Sequence, residues 1–342
     1  SLQAMDLKAR AFGGKNLLGC NDHLVISCPS AVETVHRSFL EVGVDVIETN
    51  SFRANRITLD EFGLEKQVHE INRRAAALAQ QIANKFSTNG HKRFVAGSMG
   101  PTGKLPSMQD PNSSNISFDE LSNVFQQQAL GLIEGGVDLL LLETQQDILE
   151  VKAAILGIHQ AFATSGIYLP IQAQVTLDKN GRMLLGTDIA AALAILEGMA
   201  INVIGINCST GPEYMQQAMS YLGKNATLPI ACLPNAGIPQ NINGRAIYPL
   251  TPQDFAQKMT AFVKRDNVNV VGGCCGTTPE HLRLLVEQIH SYPAPQRPKR
   301  SIPRLSSAIQ AIDMIQKPPP FLIGEQLNTQ GSRRFKESIL QK

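Results

Sequence analysis

The sequence is poor in the features that usually betray a protein's class, and each shortage excludes something. Six cysteines in 342 residues are too sparse for a disulfide framework, so this is not a small stapled secreted fold. The formal net charge is only +2, with 18% charged residues, which leaves no basic excess for nucleic acid and no acidic tail. No apolar run approaches the roughly 18 to 20 residues that span a bilayer. The opening stretch SLQAMDLKAR has no apolar segment of signal-peptide type. Membrane and secretory readings fall away, and a cytoplasmic globular protein is expected. No GxGxxG follows an early strand, which removes the signature of a dinucleotide fold, and no repeat recurs at a period of about 20 to 50 residues.

What is present is an alternation of short apolar runs with amphipathic stretches between about residues 40 and 285, the pattern of βα units around a parallel sheet. Seven runs read as strands: Asp45 to Glu48, Arg93 to Gly97, Asp138 to Leu142, Ile171 to Val175, Val203 to Ile206, Ile230 to Leu233 and Asn267 to Val271. Each is followed by small, polar or turn-forming residues, as in ETNSF, SMGPTG, NCSTGPE and GGCCGTTPE. In a (β/α)8 barrel the loops after the strands build the active site, so polar residues collect at that end. Val32 to Val42, Asp119 to Glu134, Leu149 to Phe162, Asp188 to Glu197, Pro212 to Leu222 and Pro279 to His290 supply outer helices.

The expected fold is therefore an α/β (β/α)8 TIM barrel over residues 1–290 with its first strand missing, since residues 1–28 contain no buried strand. Residues 291–320 read as a Pro/Arg-rich linker wrapping the surface, with an amphipathic turn at SSAIQAIDMI and a stop at PPP. Residues 321–342, beginning FLIGEQLN, read as a buried strand ending in a polar loop, the start of a second, truncated module.

The chemistry lies in three cysteines. Cys20, Cys28 and Cys232 are scattered and read as ordinary core or edge residues, whereas Cys208 ends the run VIGIN, and Cys274 and Cys275 end VNVVGG. In a parallel barrel both ends arrive at one rim. Adjacent strand residues point to opposite faces, so the vicinal pair converges only if the backbone leaves strand geometry, and Gly272, Gly273 and Gly276 permit that. Three thiolates suit zinc and leave a fourth tetrahedral position open. They also leave the centre net negative, a poor Lewis acid toward water but one that keeps a bound sulfur nucleophilic. Thiol alkylation fits better than hydrolysis. A strained vicinal disulfide, a redox protein and a closed structural zinc site stay open on spacing alone. None of His23, His36, His69, His91, His159, His281 and His290 stands where a ligand is needed.

GINCSTGPEYM, LPNAGIP and VVGGCCGTTPEHL, with DVIETNSF and LLLLETQQD, resemble the homocysteine-binding barrel of the zinc-dependent homocysteine S-methyltransferases, the cobalamin-dependent members most of all. The resemblance runs from about residue 15 to 290. It implies that L-homocysteine is the substrate, that zinc is held by Cys208, Cys274 and Cys275, and that Asn235 is a weak fourth ligand which the substrate sulfur displaces. Glu143 is implied to bind the substrate ammonium, with Glu48 as second choice. It further implies that the methyl group comes from methylcobalamin on another module, recharged from 5-methyltetrahydrofolate on a folate-binding module whose opening strand the tail FLIGEQLNTQGSRRF resembles. A stand-alone enzyme using a small sulfonium or betaine donor, or a non-catalytic structural-zinc module, are the alternatives. Two departures stand out. The family's Asp-Gly-rich first strand is absent before Ser1, and Gln326 stands where the folate module carries Arg, near Asn328.

Overall fold

All seven apolar runs form strands: β1 (Val46–Glu48), β2 (Phe94–Met99), β3 (Leu139–Gln145), β4 (Ile171–Val175), β5 (Val203–Asn207), β6 (Ile230–Leu233) and β7 (Val270–Val271). The computed structural model describes residues 2–108, 110, 114–242, 244–297, 302–322 and 330–341. The strands make one parallel sheet in chain order, with Glu48 beside Ala96, Gln174 beside Gly205 and Cys232 beside Val271. Sequential order with helical crossovers is the topology of a βα barrel, and the sheet stays open between β1 and β7.

Eight helices flank these seven strands: α1 (Pro29–Leu40), α2 (Val68–Phe86), α3 (Phe118–Glu134), α4 (Ile148–Ser165), α5 (Ile189–Leu196), α6 (Pro212–Asn225), α7 (Pro252–Asp266) and α8 (Pro279–Ile289). Each of α2 to α8 follows a strand, while α1 takes the place of a helix whose strand would fill the gap. The helical ring closes where the sheet does not: α1 packs on both α8 and β1. The seven-stranded barrel with an absent first strand is thus the observed architecture.

The period-2 alternation of strands divides the sheet into two faces. Ile47, Val95, Met99, Leu140, Leu142, Ile171, Ala173, Val175, Ile204, Ile206 and Cys232 face the helices in the main core. Phe125 and Phe255 from α3 and α7 are fully buried there, and truncating either to Ala costs about 3–5 kcal/mol. The alternate residues Glu48, Ser98, Glu143 and Asn207 face the barrel interior, so its upper floor is polar.

Two helices escape the sequence pattern. Half of the buried stripe of α2 is alanine, with Ala75, Ala76, Ala79 and Ala83 beside Val68, Ile71, Asn72 and Ile82, so few large apolar side chains mark its face. The same smallness admits α3 so closely that a Cβ on Gly135 would lie 2.4 Å from the Arg73 carbonyl oxygen. In α7 the buried Phe255, Ala256, Met259 and Phe262 are set by a Thr251 cap and Pro252 in the first turn.

The expected turn at SSAIQAIDMI is instead part of an antiparallel hairpin, Arg304–Ser306 with Ala311–Asp313. Pairing with the preceding segment, and contact with the start of α5 through Thr187 Oγ1 to the Ala308 carbonyl (2.5 Å) and Asp188 N to the Ile309 carbonyl (3.0 Å), override the local period. Before it, Arg297 donates to the carbonyls of Leu222, Gly223 and Ala226 at the end of α6. The strand expected at FLIGEQLN falls mostly on residues 323–329, outside the described residues. Among the described residues no helix is long and apolar enough to cross a membrane.

Candidate active site and metal centre

The carboxyl ends of β5, β6 and β7 converge, and backbone hydrogen bonds stitch their loops together. Cys208 N donates to the Leu233 carbonyl at 3.1 Å, Asn235 N to Thr210 at 3.1 Å, Cys274 N to Pro234 at 2.8 Å and Ala236 N to Cys275 at 2.9 Å. Cys208 itself sits in the left-handed region, φ +60°, followed by Ser209 at +60°. That conformation is rare for residues with a Cβ and marks a site held in place by its surroundings. After β7, Gly276 at φ +79° turns the chain so that Cys274 and Cys275 both reach inward. A Cβ at Gly276 would lie 2.1 Å from Tyr248 Cγ, so glycine is needed there for space as well as for its dihedral.

The result is a triangle of thiols. Cys208 Sγ lies 3.8 Å from Cys275 Sγ, which lies 3.9 Å from Cys274 Sγ, and all three are within 4.8 Å of one another. Tetrahedral ligands on bonds of about 2.3 Å stand about 3.8 Å apart, so the sulfurs already have the spacing of three corners around one metal ion. Without a cation they cannot all ionise. Cys275 is held well below the usual thiol range because Cys208 and Cys274 donate S–H bonds to it, with Tyr248 adding a third. Cys274 is pushed well above that range by its bonds to Cys208 and Cys275. For Cys208, the bond from Cys274 pulls down, but donation to Cys275 and burial outweigh it and carry it to about 11.

Asn235 is buried, and its Oδ1 accepts a hydrogen bond from Cys275 N at 3.1 Å. This fixes the amide beside the thiols with its second lone pair uncommitted to that bond.

Below the rim, Glu143 projects inward from β3. Ser98 Oγ donates to its Oε1 at 2.5 Å and Asn207 Nδ2 to its Oε2 at 3.4 Å. Burial pushes its carboxyl up to about 7 against the pull of the Ser98 bond, and the charge of Cys275 adds to the rise. Glu48, on β1, is held well above the ordinary range by the sheet around it and then by Glu143. The residue is nonetheless exposed to solvent, at the open edge of the sheet beside β1, which tempers the effect of burial. The two carboxylates and the thiols therefore form one electronegative interior.

Sequence reading missed the residues that arrange this floor. Asn207 holds Glu143 and also Thr144, taking Thr144 N at 2.7 Å and donating to its Oγ1 at 2.9 Å; its place just before Cys208 at an inward position was the available signal. Ser98 had the same period-2 signal on β2. Tyr248, in an irregular loop, had none. The loop after β2 is clamped to the start of α4, with Thr102 N and Oγ1 on Glu150 Oε1 (2.8 and 2.5 Å) and Ser107 N on Asp147 (2.8 Å). A cavity of about 450 Å³ lined by Cys20, Asp22, Asn50, Phe52 and Arg53 opens beside β1, and none of the three clustered thiols lines it. The thiol triangle sits instead on the open rim.

A family model described as homocysteine S-methyltransferase matches residues 1–289. Among curated proteins, methionine synthase from Mycobacterium leprae is 37% identical over 344 residues and that from Mycobacterium tuberculosis 36% over 339. Each alignment takes in 99% of this chain and 28% of the relative, so the chain spans under a third of the relatives' length. Among solved structures, the homocysteine methyltransferase MmuM from Escherichia coli in its metallated form superimposes with a TM-score of 0.67 at 20% identity, covering 84% of this chain and 92% of that one. Its oxidised form gives 0.65 over the same shares. With a family match along nearly the whole barrel and the fold shared with a solved member, this chain belongs to the homocysteine S-methyltransferase family.

Proposed function

We propose that this chain is the homocysteine-binding module of a cobalamin-dependent methionine synthase. The observation that carries the reading is the triangle of Cys208, Cys274 and Cys275, with sulfurs 3.8 and 3.9 Å apart, above a buried carboxylate. The three thiolates would hold Zn2+, with Asn235 Oδ1 as the weak ligand given up when substrate enters. Zinc supplies acidification of a substrate thiol that joins as fourth ligand, so that it is a thiolate near neutral pH.

The chain's own residues do the rest. Glu143 receives the ammonium group of L-homocysteine, and Ser98 and Asn207 keep its carboxylate aimed at the interior. Glu48 adds a second negative charge to the same space. Held at both ends, the substrate sulfur points out of the barrel mouth, where it attacks the methyl carbon in line and displaces the donor to leave methionine. The donor is methylcobalamin carried by a separate module and recharged from 5-methyltetrahydrofolate on a folate-binding module, so the open rim is a transient docking surface. In this reading residues 1–290 are the barrel, 291–320 the linker and 321–342 the opening of the folate module. Three free thiols at one exposed rim fit a reducing cytoplasm.

Zinc X-ray absorption on the reduced protein tests the assignment. Addition of L-homocysteine should convert three sulfurs plus one light atom to four sulfurs. An unchanged environment would overturn it in favour of a structural metal.

A further inference from the structure

The apolar run of β3 ends in an irregularity that carries more than Glu143. Its register with β4 is regular from Leu140 to Leu142 and shifts before Gln145 meets Val175. Within the shift lies Thr144, whose backbone sits in the left-handed region at φ +59°. A β-branched residue is a genuine outlier there, and glycine or asparagine would adopt the conformation at less cost. Consecutive residues of a regular strand point to opposite faces, but a bulge re-aims them. Here Glu143 and Thr144 turn to one partner, the Asn207 amide on β5. Asn207 Nδ2 donates to Glu143 Oε2 at 3.4 Å and to Thr144 Oγ1 at 2.9 Å. Thr144 N, which can only donate, reaches Asn207 Oδ1 at 2.7 Å and so fixes which way round the amide lies. Asn207 is held in turn by Thr176 Oγ1, which donates to its carbonyl at 2.9 Å.

These bonds leave one donor over. Thr144 Oγ1 accepts from Asn207, so its own proton is directed elsewhere, and among the described residues nothing accepts it. Thr144 is only half-buried, so the position is open to a solute.

We propose that Thr144 is a substrate-binding, specificity-determining residue, whose hydroxyl donates to the α-carboxylate of the amino acid while Glu143 beside it takes the ammonium. The inference rests on the homocysteine reading above and extends it to the one charged group of the substrate which that reading leaves without a partner. The ammonium and carboxylate of an α-amino acid sit on one carbon, so their partners must be neighbours. Two oxygens that flank a single amide nitrogen meet that demand. An interior holding Glu48 and Glu143 repels a carboxylate unless a donor meets it. A neutral hydroxyl braced by an amide supplies that donor without pairing with Glu143, as a lysine or arginine would.

The test is calorimetric titration of zinc-loaded parent, Thr144→Val and Thr144→Ser with two thiols, L-homocysteine and 3-aminopropane-1-thiol, which lacks only the carboxylate. Val keeps the branched shape and removes the hydroxyl; Ser keeps the hydroxyl. Thr144→Val should bind L-homocysteine at least about tenfold more weakly than the parent, yet 3-aminopropane-1-thiol within about threefold of it. Thr144→Ser should bind both as the parent does. Equal loss of both thiols in Thr144→Val would overturn the proposal, because Thr144 would then act only by supporting Asn207 and Glu143. Unchanged binding of L-homocysteine would overturn it as well. If the parent itself binds neither thiol, the homocysteine reading fails and the inference falls with it.

Discussion

Replacing Glu143 by Gln would separate the role proposed for the buried carboxylate in substrate binding from what it costs the fold, and the two effects have opposite signs. In the empty barrel burial lifts this carboxyl to about 7, so at pH 8 it is mostly ionised in a place that disfavours its charge. Its folded value lies above its unfolded value of 4.5; the native state therefore binds more protons, and stability falls as pH rises from about 4.5 to about 7. Glu143→Gln escapes that loss. It should be more stable than the parent by up to about 3 kcal/mol above pH 7, since each tenfold gain in proton affinity on folding corresponds to about 1.4 kcal/mol, and the difference should vanish below about pH 4.5. Binding runs the other way. A hydrogen bond to a charged partner is worth about 1.5–3 kcal/mol, so at pH 8 the variant should bind L-homocysteine roughly 10- to 150-fold more weakly. At pH 6 about nine-tenths of the parent's carboxyls are already protonated, and the penalty should shrink by about tenfold. Ionisation of the substrate thiol adds its own pH dependence, but equally to both proteins, so the ratio of their dissociation constants isolates Glu143. Calorimetric titration at pH 6, 7 and 8 on zinc-loaded samples of equal metal content reads this ratio. Binding within threefold of the parent at pH 8, or a penalty that does not shrink toward pH 6, would refute the reasoning.

Cys208→Ala, Cys274→Ala and Cys275→Ala should each lose zinc and homocysteine methylation together, whereas Cys232→Ala, whose sulfur faces Met215 on the helix side of the sheet, should keep both; methylation retained without metal would count against the mechanism. Gly276→Ala forces a Cβ into the Tyr248 ring at a φ of +79°, and zinc affinity measured by chelator competition should fall at least about tenfold. Glu150, also lifted to about 7 by burial, predicts that Glu150→Gln raises the urea midpoint at pH 8 and leaves it unchanged near pH 4, because the amide oxygen still accepts from Thr102; a difference independent of pH would contradict this.

The strands were legible because each buries one face against helices, which writes a short apolar run into the chain. Cys208, Cys274 and Cys275 were legible for a related reason: thiols at strand ends flanked by glycine have few structural explanations, and topology alone brings those ends to one rim. Helix α2 was not, because its partner α3 comes too close for large side chains, and half of its buried stripe is alanine, which leaves few large apolar residues to mark the face. The hairpin at Arg304–Ser306 and Ala311–Asp313 was lost to a pairing that no local period encodes. Tyr248 escaped for the same reason in sharper form. Its position depends on Ala236, Gly237, Gly276 and His281, which are close only in the folded chain, and a lone tyrosine in a loop looks like any other.

The distribution of charge limits what this interior can bind. Glu48, Glu143 and the Cys275 thiolate are electrostatically linked: Glu143 raises the pKa of Glu48, and Cys275 raises that of Glu143. No buried lysine or arginine lies among the inward residues Glu48, Ser98, Glu143 and Asn207 to offset them. A simple thiol would add negative charge at the rim and leave both carboxylates uncompensated, so it gains little beyond its bond to the metal. In the proposed reading an amino thiol brings its own cation, which Glu143 on β3 would receive while the sulfur joins the thiol triangle. Loss of the ammonium should cost about as much as loss of Glu143, and doing both should cost scarcely more than either, since each removes the same contact.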